Sequence, residues 1–154
     1  MQLERGADMA DEKSDAGVAA YYKEQLDQAR HIEVQRTAIG GFTVAFSGVI
    51  VSKLQSANFD RTILPYTITL TLIGLTALLL SAKLYERFRW HHDLGFRLRE
   101  EINPQLGVLE KDTNDDWDKK YPVLFKIGLH TIWNCLFGGI ALLGVVLTVK
   151  ALLV

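Results

Sequence analysis

His130 and Asn134 stand one helical turn apart inside a run, residues 127–149, that contains no Asp, Glu, Lys or Arg. An imidazole donates, accepts and carries a proton near neutral pH, and a carboxamide both donates and accepts. On one helix face in apolar surroundings, such a pair can pass a proton or gate a path for an ion. The same two side chains can equally bond a neighbouring helix, with Trp133 as an anchor at a membrane–water boundary. The residues alone leave both readings open.

Other chemistries are poorly served. His91 and His92, with His31, offer imidazoles, but adjacent residues on a helix point about 100° apart, and a metal needs ligands three or four apart. Asp112-Thr-Asn114-Asp-Asp116 opens like a calcium loop, yet Trp117 stands where the turn needs glycine and Val123 where it needs a bidentate acid. No Gly-rich phosphate loop, G-x-S-x-G or H-E-x-x-H occurs. The expectation is therefore a protein that is not an enzyme and holds no cofactor or metal.

A third group is aromatic and basic. Tyr85, Phe88, Phe96 and Trp90 alternate with Arg87, Arg89, Arg97 and Arg99 just past an apolar run. Such a cuff contacts anionic headgroups or offers a platform to a partner. A fourth group is made of small residues at helical spacing. Gly41, Ala45, Gly48 and Ser52 share a face; Thr67, Thr71, Gly74 and Ser81 share another; Asn134, Gly138 and Ala141 a third. In lipid no hydrophobic force drives helices together, so close approach of small faces and interhelical hydrogen bonds hold them. The faces can serve packing within one chain or self-association, and their number points to a homo-oligomer.

The elements that must position these groups follow from where charge is missing. Residues 37–52, 62–82 and 127–149 are uncharged runs of 16, 21 and 23 residues. About 20 helical residues cross a hydrocarbon core of ~30 Å. Val34 and Leu54 lengthen the first run, with Arg36 and Lys53 able to snorkel to the headgroups. Residues 67–72 alternate Thr-Ile-Thr-Leu-Thr-Leu like a strand, but the run is too long and a lone strand in lipid leaves its backbone unpaired. Three transmembrane helices, near 34–54, 62–82 and 127–149, are expected in an all-α membrane protein whose bilayer is its first partner.

Fourteen of the 17 Lys and Arg lie in residues 1–36 and 83–126. The positive-inside rule then sets the N-terminus and the 83–126 segment in the cytoplasm and the C-terminus outside, as a multi-pass protein of the cytoplasmic membrane. The first 36 residues lack an apolar signal region, so targeting is expected to rest on the spans. A net charge of −1 gives no basic field for nucleic acid. The lone Cys135, in the third run, reads as a small buried hydrophobe.

Along the chain, residues 1–16 read as a disordered polar tail. Ser14 or Asp15 can cap a helix that continues through Val18, Tyr22, Leu26 and Ala29 into the first span, within a single helical membrane domain over 17–154. Asn58 and Asp60 mark a turn, and Pro65 suits the first turn of the second helix. Leu84, Phe88, His91, Gly95, Leu98 and Ile102 form one face of a helix running on past the membrane until Pro104 stops it. Residues 104–120 read as a polar connector, and Pro122 as the opening of the third span.

Two spans around a short turn, the charged helix Lys83-Leu-Tyr-Glu-Arg-Phe-Arg-Trp-His-His, and Leu129-His130-Thr-Ile-Trp133 opening a last helix resemble a class of small bacterial membrane proteins. The pattern is similar to RipA-like oligomeric membrane proteins and to SLATT-type effectors of nucleotide-signalling and other anti-phage operons. SLATT-type proteins have two spans and a soluble C-terminal helix, whereas a third apolar run follows here. The resemblance implies a regulated oligomeric effector or pore, engaged by a cytoplasmic protein or nucleotide signal. The alternative is a non-conducting scaffold that recruits a cytoplasmic partner.

Overall fold

The computed structural model describes residues 2–57, 60–121 and 128–153, with side chains from Ala16 onward except at positions 106 and 110. Every described element is helical: α1 (Gln2–Gln55), a 3-10 turn (Arg61–Ile63), α2 (Leu64–Ile102), α3 (Pro104–Lys120) and α4 (Leu129–Leu153). Three segments, Ala16–Gln55, Arg61–Ile102 and Leu129–Leu153, are long and apolar enough to cross a membrane. The alternating Thr-Ile-Thr-Leu-Thr-Leu stretch lies within α2, as its length required.

Local chemistry explains where the helices start and stop. Asp60 takes an extended conformation and its side chain accepts a hydrogen bond from Thr62 N, capping the 3-10 turn. Pro65 follows in the first turn of α2, where its missing N–H costs nothing. Asn58 lies outside the described residues.

Two expectations need correction. Residues 104–120 are not a connector but helix α3: Asn103 Oδ1 accepts from Gln105 N at 3.0 Å, and Pro104 sits at the first helical position. The proline that ends α2 thereby begins α3. The N-terminal residues enter α1 from Gln2 rather than forming a tail before a cap at Ser14 or Asp15. Gly6 and Gly17 are the only weak helix formers of their kind there, and a single glycine costs about 1 kcal/mol without breaking a helix. The last helix is described from Leu129, and Pro122 lies outside the described residues.

The chain divides into two compact units, residues 1–32 with 86–126 and residues 33–85 with 127–154, so the division falls inside α1 and α2. In the first unit, part of the expected seam forms around Gly95, whereas Ile102 at its end is exposed. Gly95 is buried on α2, and a Cβ there would sit 3.7–4.0 Å from Leu26, Gln25 and Tyr22 of α1. Gln25, Ala29 and Ile32 are buried at steps of four and three on α1, which keeps one stripe facing the partner helix. Buried Gln25 must find a partner, and its side-chain amide meets His91 Nδ1 at 2.7 Å.

The second unit reverses the usual arrangement of polarity. Its outer surface carries Phe42, Phe46, Leu72, Leu79, Leu142 and Val146, all well exposed. Its interior holds Arg36, Thr43, Ser47, Thr67 and Ser81 beside Ile50, Leu54, Ile63, Leu70, Phe137 and Ala151. Large exposed apolar surface on a soluble protein is a liability, whereas lipid accepts it without cost. Cys135 is exposed, against the expectation of a buried thiol. It precedes inward-facing Phe137 by two residues, which turns it about 200° around the helix.

Candidate functional site

The second unit is held by close contacts of small residues. A Cβ on Gly74 would lie 2.5 Å from the Ala141 backbone nitrogen, and one on Gly144 would lie 2.6 Å from the Thr71 nitrogen. Both helices therefore approach backbone to backbone. Thr148 Oγ1 donates to Thr67 Oγ1 at 2.8 Å, and Thr67 Oγ1 is 3.1 Å from Leu64 O on its own helix. Thr67, Thr71 and Gly74 thus serve packing between α2 and α4.

The pairs Thr67–Thr148, Thr71–Gly144, Gly74–Ala141 and Tyr85–His130 advance along α2 by the steps at which they retreat along α4. The helices are antiparallel and in constant register, which brings Ser81 level with Asn134. Tyr85 and His130 stack with centroids 4.0 Å apart and planes 13° from parallel. The guanidinium carbon of Arg36 lies 5.7 Å from the Tyr85 ring centroid. One turn further along α1, a Cβ on Gly40 would meet the Trp133 ring at 2.5 Å. Trp133 in turn stacks near Phe137 at 5.6 Å.

Arg36, Gly40, Ser81, Tyr85, His130, Trp133 and Asn134 consequently make one polar and aromatic layer across α1, α2 and α4. Arg36 is its centre and is only 1% exposed. Its Nη1 pairs with Glu33 Oε1 at 3.0 Å, while Nε and Nη2 have no hydrogen-bond acceptor. Ser81 Oγ, Trp133 Nε1 and Asn134 Oδ1 are also buried without a partner. The expectation that Arg36 snorkels outward is overturned. It falls at the buried face continued by Gly40, Thr43, Ser47, Ile50 and Leu54, and that face turns the side chain inward.

The sequence-chosen residues separate cleanly. His130 and Asn134 come together with α2 in this layer. Gly41, Ala45, Gly48 and Ser52 are all exposed, and no heavy atom lies within 4 Å of a Cβ built at Gly41 or Gly48. Gly138 is likewise open. In the first unit, Arg87, Arg89 and Arg97 are exposed, and Trp90, Asp93, Leu94 and Arg97 line a shallow groove. Arg99 lies over the Phe96 ring at 4.3 Å. His92 contacts the rings of Phe88 and Phe96, while His91 is engaged with Gln25, so the adjacent imidazoles face different partners.

Sequence reasoning missed Arg36 as a site residue. The available signal is its place on the heptad-like line Ala29, Ile32, Arg36, Thr43, which continues along α1 itself. No protein-family model matches the sequence, and no curated protein or solved structure matches it.

Proposed function

We propose that the protein is a multi-span protein of the bacterial cytoplasmic membrane that self-associates through α1 and acts as a regulated membrane effector or pore, without enzymatic activity. The observation that carries this reading is the unequal use of the small faces. Those of α2 and α4 are consumed at Gly74–Ala141 and Gly144–Thr71, whereas Gly41, Ala45, Gly48 and Ser52 lie outward and uncovered beside an apolar surface. A small-residue face turned toward lipid suits close approach of a second helix.

The fourteen-to-three basic asymmetry supports an N-terminus and an 83–126 segment in the cytoplasm. There the segments 17–36 and 83–103 receive a protein or nucleotide signal, as in an anti-phage effector. The motivation is mechanical: α1 and α2 each continue without a break from these segments into the apolar ones. A ligand shifts the spans only through unequal affinity for two states. His130 and Asn134 then gate the inner end of a path, and Arg87, Arg89, Trp90, Arg97 and Arg99 meet headgroups or the partner.

One observation favours a second reading, a non-conducting scaffold. His130 and Asn134 face Tyr85 and Ser81 of their own chain rather than the uncovered stripe of α1. Dye release from vesicles decides between them. The effector reading expects release when the triggered partner system is added, with the rate altered by Asn134→Leu. Normal assembly with no release under the same trigger identifies the scaffold.

A further inference from the structure

We propose that the aromatic and basic cuff of α2 is two surfaces: Arg87 and Arg89, with Trp90, hold anionic phospholipid headgroups, whereas Arg97 and Arg99 do not. This placement rests on the proposed crossing of the bilayer by α2. The helix is unbroken from Leu64 to Ile102, so height along it follows from residue number. Its uncharged run, residues 62–82, is about 32 Å long, which matches a hydrocarbon core of ~30 Å and sets Ala82 at the inner boundary. The headgroup layer adds about 5–8 Å on each side. The Cα atoms of Arg87 and Arg89 then stand about 8 and 11 Å beyond Ala82, and those of Arg97 and Arg99 about 22 and 25 Å beyond it.

Side-chain direction works with this difference in height. Every Cα–Cβ bond of a helix leans toward its N-terminus, and for this part of α2 the N-terminal direction is the bilayer. Arg87 and Arg89 lean back toward the phosphates, and their long side chains cover the remaining gap. Arg97 stands about three times too far away for that. Arg87 and Arg89 are exposed, and among the described residues neither has an ion pair, hydrogen bond or ring contact. Two residues apart on a helix, they point about 200° apart and meet lipid on different sides. Arg99, by contrast, is half-buried and lies over the Phe96 ring at 4.3 Å. Trp90 is 60% exposed, and an edge contact with the His91 ring, centroids 4.8 Å apart, steadies it for the interfacial role of tryptophan.

Charge follows the same order. Residues 83–90 hold three basic side chains and one acid, while residues 91–101 hold two basic and three acidic ones. On α1 near this height, where Gln25 meets His91, Asp27 and Arg30 pair at 3.6 Å and offset each other. The basic end of the stem faces the membrane, and its complement is a headgroup whose phosphodiester is not neutralised by an attached cation.

Spin resonance of labelled lipids tests the crossing and the headgroup preference separately. Full-length protein is placed in phosphatidylcholine vesicles with a trace of spin-labelled phosphatidylglycerol or spin-labelled phosphatidylcholine. The fraction of label immobilised at the protein reports the spans, and the ratio between the two labels reports the preference. Wild type should favour phosphatidylglycerol, less so at high salt. Arg87→Gln combined with Arg89→Gln should remove most of the preference, up to about fivefold for each arginine. Arg97→Gln should leave it unchanged. Equal immobilisation of both labels by the wild type, or a loss in Arg97→Gln as large as in the double variant, would overturn the inference while leaving the spans in place. Absence of immobilised lipid of either kind would overturn the crossing and the inference together.

Discussion

Gly74 of α2 and Ala141 of α4 face each other so closely that a single added carbon on Gly74 would lie 2.5 Å from the Ala141 nitrogen and 2.8 Å from its Cα. The obstacle is backbone, which cannot swing aside like the end of a side chain. Gly74→Leu and Gly144→Leu should therefore each destabilise the fold by about 1–3 kcal/mol or more, the range of overpacking. Gly138→Ala, in open space, should change stability little. Thermal unfolding in detergent micelles measures all three. Equal stability of Gly74→Leu and Gly138→Ala would show that α2 and α4 do not meet at this point.

Asp60 gives a pH dependence with a definite sign. Its carboxylate lies below the ordinary value of 3.8, held there first by the Thr62 hydroxyl and then by the Thr62 backbone N–H, against a small opposing effect of burial. A depressed value in the folded state means the cap contributes fully above 3.8 and is lost as pH falls through the lower folded value. The Thr62 amide should exchange faster as pH drops below that point, beyond the intrinsic pH effect seen in a peptide. Asp60→Asn retains an acceptor that does not titrate, so its corrected exchange should stay flat. The same acid-induced opening in the asparagine variant would remove Asp60 as its cause.

How much of this could be read from the sequence depends on which force decides each feature. The three apolar segments were legible, because length without charge is nearly sufficient to define a helix that can span lipid. The turn at Asp60 and the inward face of Gly95 are legible for similar local reasons, whereas the capping role of Asp60 is not. Helix α3 was not: Pro104 carries the same steric signal whether it ends a helix or occupies the first position of the next, and Asn103 decides between them only through its cap geometry. The choice of faces was not legible either. Gly40 and Gly41 are neighbours about 100° apart, and spacing alone favoured the line through Gly41, whereas Trp133 selects Gly40. From the sequence Arg36 reads as a boundary residue because buried charge is rare, and rarity is a poor guide where the interior is polar and the exterior apolar.

Orientation in the membrane is a separate matter from the fold. Fourteen basic residues in the two segments assigned to the cytoplasm imply that reporter fusions at residues 1 and 112 register inside, and that fusions at residues 56 and 154 register outside. A cytoplasmic signal from the fusion at 154 would mean that α4 does not cross.

The central claim is that chains meet through the uncovered face of α1. Its most direct test counts subunits by stepwise photobleaching of N-terminally labelled protein in lipid vesicles, at decreasing protein-to-lipid ratios. Wild type should bleach in several steps that persist on dilution. Gly48→Ile, at a position where an added Cβ has no heavy atom of another element within 4 Å, should keep the helical content and melting temperature of the wild type yet bleach in one step. Single-step bleaching of the wild type at every ratio, or undiminished assembly of Gly48→Ile, would contradict the account.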